Sequence, residues 1–182
     1  MTTFKKNQPV GDAIGPMIVG KLMLEHEKHD IAVDTIYAES DISGRKAILV
    51  TAKGPVGTVG QPGNAVQELI QKENPSLLIM IDAALRLEGE KTGEVAEGVG
   101  AAIGGIGVDK FKIEEAATNN NIPVYAIIVK QTIVEAISVM TKEIAESVDS
   151  VHDIIHRIID ERTKPNDKVI IVGVGNTIGV IQ

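Results

Sequence analysis

The sequence predicts one α/β domain: a three-layer fold with a mostly parallel or mixed central sheet and helices on both faces. Three observations carry this. Segments with helical spacing alternate with short runs rich in Ile, Val and Leu, as in folds built from strand–helix units. Two of those runs, 76–81 and 169–174, are continuously apolar, which suits strands buried on both faces. The connections between them are short and marked by Gly, Pro, Asn and Asp.

The elements follow in order. Residues 1–10 are polar and read as an extended or disordered lead-in, and the chain can equally be a segment of a longer one. Residues 11–29 read as a helix start and a helix: Pro16 follows Gly15 at a first-turn position, where its missing N–H is harmless, and Ile14, Met17, Ile18 and Leu22 share one face. Residues 31–38 alternate apolar and polar as a half-buried strand does, 41–44 carry turn chemistry, and 46–51 form a second strand. The segment 54–63 holds four glycines and two prolines and reads as a loop, after which Asn64 caps a helix reaching Lys72. Pro75 leads into the buried strand 76–81, which ends on Asp82.

Residues 83–107 carry a glycine every few positions and read as a loop that wraps around something or moves. A helix starts at Asp109, Asn119 to Asn121 end it, and 123–129 form another buried strand. Apolar residues at Ile133, Ile137, Met140, Ile144, Val148, Val151, Ile155 and Ile158 give one long helix packed on the sheet, with a joint near 147–150. A turn at 164–167 leads to a last strand, 168–172, and then to Gly173-Val174-Gly175-Asn176.

Composition bounds the function. The 182 residues fit a single domain, 1–182, large enough to bury roughly 70% of its unfolded surface. Aromatics are 2% and Trp is missing, so the core is built from Ile, Val, Leu, Ala and Met. A net charge of −7 without a basic stripe argues against nucleic acid as a partner, because phosphate neutralisation needs clustered Lys and Arg. No cysteine is present, so there is no disulfide framework or thiolate chemistry, which suits a reducing, cytoplasmic setting. No run approaches the ~20 apolar residues of a membrane span. The expected partner is a small-molecule or peptide substrate, and the composition permits a homo-oligomer without requiring one.

In open α/β sheets, ligands gather outside the carboxyl ends of the strands. Asp82, the turn Gly173 to Asn176, and the glycine loop holding Gly60 all fall there. Asp82 reads equally as the N-cap of a helix beginning at Ala83, and Asp12 by itself reads as a carboxylate favoured by a helix N-terminus. Gly173-Val174-Gly175 imitates a dinucleotide fingerprint, but the third glycine, Gly179, comes one position late and no helix follows. Gly89-Glu90-Lys91-Thr92 lacks the glycines of a phosphate loop. The pairs His26/His29 and His152/His156 read as solvated faces rather than metal ligands. Glu88, Glu90, Glu94 and Glu97 are either solvating charges or a cation-attracting rim near Asp82.

Two segments carry a resemblance. Gly11-Asp12-Ala13-Ile14-Gly15-Pro16, opening a helix, is similar to the motif that opens the first helix of the spore germination protease, and looser versions occur in hydrogenase maturation proteases. Leu78-Ile79-Met80-Ile81-Asp82-Ala83 resembles the second acidic motif of the same families. Gly57-Thr58-Val59-Gly60-Gln61-Pro62-Gly63 resembles the loop between them in the germination protease, and Asn121-Ile122-Pro123-Val124 follows in the same order. The chain as a whole also resembles an archaeal domain family with no assigned activity.

The resemblance implies a phosphorylase/hydrolase-like fold and a peptidase-like hydrolase whose catalytic pair is Asp12 and Asp82. Gly173, Gly175, Asn176 and Gly60 are then the substrate-binding positions, and no cofactor is needed. No His lies between His29 and His152, where the hydrogenase enzymes place a nickel ligand, so nickel is not expected. Two rival readings stand beside it. One is a non-catalytic binding module for a small anion or peptide; the other is a Mg²⁺- or Mn²⁺-dependent hydrolase with Asp12, Asp82 and Glu97 as hard oxygen ligands. Those families begin with an apolar strand ending in a Gly-x-Gly-Asn turn ahead of the first Asp. Here that character sits at 168–176, which suggests a circular permutation that brings Gly173 to Asn176 beside Asp12.

Overall fold

The structure is a computed structural model that describes residues 8–100 and 107–182. The first seven residues of the lead-in and residues 101–106 of the glycine-rich stretch lie outside the described residues. A short 3-10 turn, Gly11–Ala13, opens helix α1 (Ile14–Met23). Strands β1 (Lys28–Ala32), β2 (Thr35–Ile42) and β3 (Arg45–Ala52) follow, then α2 (Pro62–Glu73) and β4 (Leu77–Leu85). The second half contains β5 (Val95–Val99), α3 (Val108–Asn119), β6 (Val124–Gln131), α4 (Ile133–Ala136), α5 (Lys142–Arg162) and β7 (Lys168–Gly173).

Among the described residues, seven strands join one mixed sheet in the order β1-β2-β3-β7-β4-β6-β5. The four central strands β3, β7, β4 and β6 are parallel, while β1, β2 and β5 run antiparallel to their neighbours at the flanks. Alternation along each central strand sorts its side chains between two cores. Leu77, Ile79 and Ile81 of β4 join Ile127 and Val129 of β6 and Val169 and Ile171 of β7 beneath α1 and α5. Leu78, Met80, Ile170 and Val172 face the other way, onto Val66 and Leu69 of α2 and Ile113 of α3. The expected three layers are therefore present.

Local chemistry explains where the elements differ from expectation. Instead of one strand over 31–38 there is a hairpin, because Asp34 turns the chain at a positive φ of 48°. Helix α2 starts at Pro62, not at an Asn64 cap; the Asn64 side chain donates to Gln61 Oε1 at 2.6 Å. β4 runs three residues past Asp82, so no helix begins at Ala83. Within the glycine-rich stretch, β5 pairs with β6 as an edge strand. The long helix breaks at 137–141, not near 147–150. Thr132 caps α4 with a reciprocal Glu135 box and Thr141 caps α5, so the two threonines start separate helices.

The start of α1 lies directly on the carboxyl ends of β4 and β7. A Cβ on Gly15 would collide with the Val174 carbonyl oxygen and stand 2.6 Å from that of Ile81, while one on Gly173 would stand 2.5 Å from the Gly15 carbonyl oxygen. Backbone meets backbone here, with no flexible side chain to yield. Gly15→Ala is therefore expected to cost about 1–3 kcal/mol, the range for overpacking a filled interior, read as a lowered urea midpoint at unchanged slope.

Candidate functional site

Asp82 continues the β4 face that carries Leu78 and Met80, so its side chain emerges under the first turn of α3 rather than under α1. It is only 4% exposed. Its Oδ1 accepts the Ala83 amide at 2.8 Å, and its Oδ2 lies 2.5 Å from the Lys110 ammonium of α3. Burial pushes the carboxyl up to about 6, against the pull of Lys110 and the Ala83 amide and with a further push from the Asp12 charge.

Asp12 sits in the 3-10 turn ahead of α1, half-buried, and its side chain caps neither that turn nor the helix. Instead its Oδ2 accepts the Asn176 amide at 3.0 Å across the sheet end. Asp12 and Asp82 line one cleft of about 300 Å³ together with Val59, Ala83, Gly107, Val108, Asp109, Lys110, Val174 and Gly175. Asp109 is held at its wall, accepting the Gly63 amide at 3.0 Å. Two other hollows lie apart from this chemistry. One is beside Lys28, Lys53 and Gln182, and the other is at the amino ends of β3 and β7 by Lys46 and Lys168.

The remaining sequence candidates divide. Gly175 lines the cleft at a φ of 140°, where a side chain would collide with the Asp12 carbonyl oxygen. Gly173 is buried against Gly15 and does not reach the cleft. Asn176 gives its amide to Asp12, and its side-chain oxygen accepts the Ile178 amide at 2.8 Å. The Val174 amide is taken by the Ile81 carbonyl at 2.9 Å, so this turn builds the aspartate site and has two fewer amides to offer a ligand. Gly60, at a φ of 57°, packs against Asp34 and Thr35 and does not line the cleft; its neighbour Val59 does.

Glu97 does not join the aspartates. Its partner in β6 is Ile127, which faces α1 and α5, so Glu97 projects from the opposite side of the sheet to Asp82. There it forms an ion pair with Arg157 of α5 at 2.5 Å. Asp12, Asp82 and Glu97 thus form no common metal site, and no group of three His or acidic side chains among the described residues is arranged to hold a metal ion. Glu90 and Glu94 pair with Lys130 rather than rimming Asp82. Of the histidines, His29 lies on β1 against Tyr37, and His152 is half-buried rather than on a solvated face. Among the described residues, no helix is long and apolar enough to cross a membrane.

Lys110 was not found from sequence. The available signal was a lysine three residues after Gly107 in the first turn of a helix, where the macrodipole disfavours a cation.

Residues 10–181 match the family model described as the C-terminal domain of unknown function DUF1512. The chain belongs to that family. This DUF1512 C-terminal domain is also 32% identical over 130 residues to a germination protease of Clostridium perfringens, covering 70% of this chain and 38% of that protein. The germination protease of Clostridium acetobutylicum is 28% identical over 127 residues, covering 69% and 37%. The chain thus spans less than two fifths of the length of these curated relatives, and the relationship to them is a distant one. Among solved structures, a Mycobacterium tuberculosis proteasome-assembly chaperone homologue superposes with a TM-score of 0.56 at 11% identity, covering 86% of this chain and 83% of that one. At that identity it shows a shared fold.

The electrostatics of Asp82 set a stability test. Its folded value of about 6 stands above the 3.8 of an ordinary Asp, so between those values the native state binds more protons than the unfolded one. Stability from this group is therefore full below pH 4 and is lost as pH rises through 6, to a limit of about 3 kcal/mol for two pKa units. Asp82→Asn is expected to match the parent at pH 4 and to exceed its stability by about 1–3 kcal/mol at pH 7.5, measured by urea unfolding at both values.

Proposed function

We propose that this domain is a peptidase-like hydrolase in which Asp12 and Asp82 act on a substrate amide held in the cleft between α1, α3 and the ends of β4 and β7. The observation that carries the reading is the convergence of the two aspartates, seventy positions apart in sequence, on one cleft at the carboxyl end of the sheet. The distant relationship to germination proteases supports it.

The proposed chemistry needs one carboxylate and one carboxylic acid. Neighbouring carboxyl groups disfavour double ionisation, and a group near 6 exchanges its proton readily at neutral pH. In the forward step the ionised partner takes a proton from water, and the oxygen adds to the amide carbon. The protonated partner then gives its proton to the leaving nitrogen as the C–N bond breaks. The turn after β7 holds Asp12 through the Asn176 amide, and Gly175 of the same turn forms part of the backbone wall of the cleft. Because β7 lies between β3 and β4 and its turn meets Asp12, we further propose that the domain is a circular permutation of the germination-protease arrangement.

One observation favours a second reading. The fold neighbour is named a proteasome-assembly chaperone homologue, and a cleft of this kind can hold a peptide without cutting it. The two readings separate in one experiment. The chain is incubated with a library of unstructured peptides in ¹⁸O-water, and new carboxyl termini are read by mass spectrometry. Hydrolysis predicts ¹⁸O-labelled termini, with turnover reduced at least ~100-fold in Asp12→Asn and in Asp82→Asn while both remain folded. Peptide retention without new termini would leave the binding module, and full turnover in either variant would remove the carboxylate mechanism.

A further inference from the structure

We infer that Lys110 is a positioning residue, whose ammonium fixes the Asp82 carboxylate in the cleft with one oxygen turned to α3 and the other to the Ala83 amide. The inference rests on the proposed hydrolysis only for its effect on turnover; the geometric claim stands by itself. Lys110 occupies the third position of α3, where the helix N-terminus repels a cation. Asp109, one residue earlier, has the charge that position favours and holds the Gly63 amide. The Lys110 side chain is only 14% exposed, and a sheltered ammonium is costly unless it meets a counter-charge. Two local penalties thus fall on one residue, and the 2.5 Å pair with Asp82 is a contact that offsets them.

The groups around Asp82 make the same point. Asp12, from the turn before α1, brings a like charge, and Asp109 adds another acidic side chain to the cleft wall. The Ala83 amide of its own strand holds Oδ1. Among the described residues, Lys110 is the one cation within ion-pair distance of Asp82. Without it, burial and Asp12 act on Asp82 unopposed except by one amide, and the carboxyl group is free to turn about its side-chain bonds.

The test is a ¹³C-NMR titration of the full chain labelled at the aspartate carboxyl carbons, with the Asp82 resonance assigned from Asp82→Asn. Lys110→Met is expected to raise the Asp82 midpoint by roughly 1–3 pH units, the range for losing an adjacent opposite charge. Lys110→Arg is expected to restore it to within half a unit or so of the parent, on the same scale. If Lys110→Met does not fold, Lys110→Gln takes its place. An unchanged midpoint in the neutral variants, or a midpoint in Lys110→Arg as high as in Lys110→Met, would overturn the inference. Where turnover is measured, the neutral variants should lower kcat at pH 7 with KM little altered. A shifted midpoint in a parent chain that hydrolyses nothing would support the Lys110 assignment and defeat the hydrolase reading separately.

Discussion

Gly15, Gly173 and Gly175 allow the first helix to rest on the ends of the two central strands with backbone against backbone. A Cβ at any of these positions would run into a carbonyl oxygen of the facing backbone, so the start of the helix and the strand ends would have to part. That separation would carry Asp12 away from the Asn176 amide that holds it and from the cleft it shares with Asp82. The three glycines are thus part of how two distant carboxylates meet. Their close packing also fixes the turn after β7, whose Val174 amide closes onto Ile81, the residue just before Asp82.

The site that results is electrostatically uneasy. Asp82 is buried on the face of β4 that otherwise carries aliphatic side chains, beside a second acid, and it is relieved by one ammonium and one amide. Such an arrangement costs stability in its charged form, and a hydrophobic residue at this position would pack with Met80 and Leu78 at no such cost. Glu97 shows the contrast: two strands away and on the other face, it is exposed enough to form an ordinary surface pair with Arg157.

Much of this was legible in the sequence because it depends on local signals. Continuous apolar runs marked β4 and β7, Gly15-Pro16 marked the start of α1, and the position of Asp82 at the end of its apolar run placed it toward the carboxyl end of the sheet. What escaped was set by tertiary contacts or by signals that compete. The β1–β2 hairpin was read as one strand because its alternation continues through Val33 and Asp34, and only the left-handed Asp34 reverses it. β5 was hidden because it is short, holds Gly98 and lies between Gly93 and Gly100, and its pairing is fixed by β6, not by its own propensity. The break before α5 was signalled by Thr141, but the apolar spacing runs straight across it. Nothing in the spacing of Lys110 reveals which carboxylate it will meet.

The position of β7 carries a consequence for how the molecule comes into being. This strand is the seam between β3 and β4, yet it follows every other strand in the chain. During synthesis, the hairpin half and the β4–β6–β5 half both emerge before the piece that joins them, each with an unsatisfied inner edge. Until residues 168–173 leave the ribosome, those edges are open to one another and to neighbouring chains, and the Asp12 turn has no strand end to rest on. Assembly of the cleft shared by the two aspartates and closure of the sheet therefore become a single late event in the life of each nascent polypeptide.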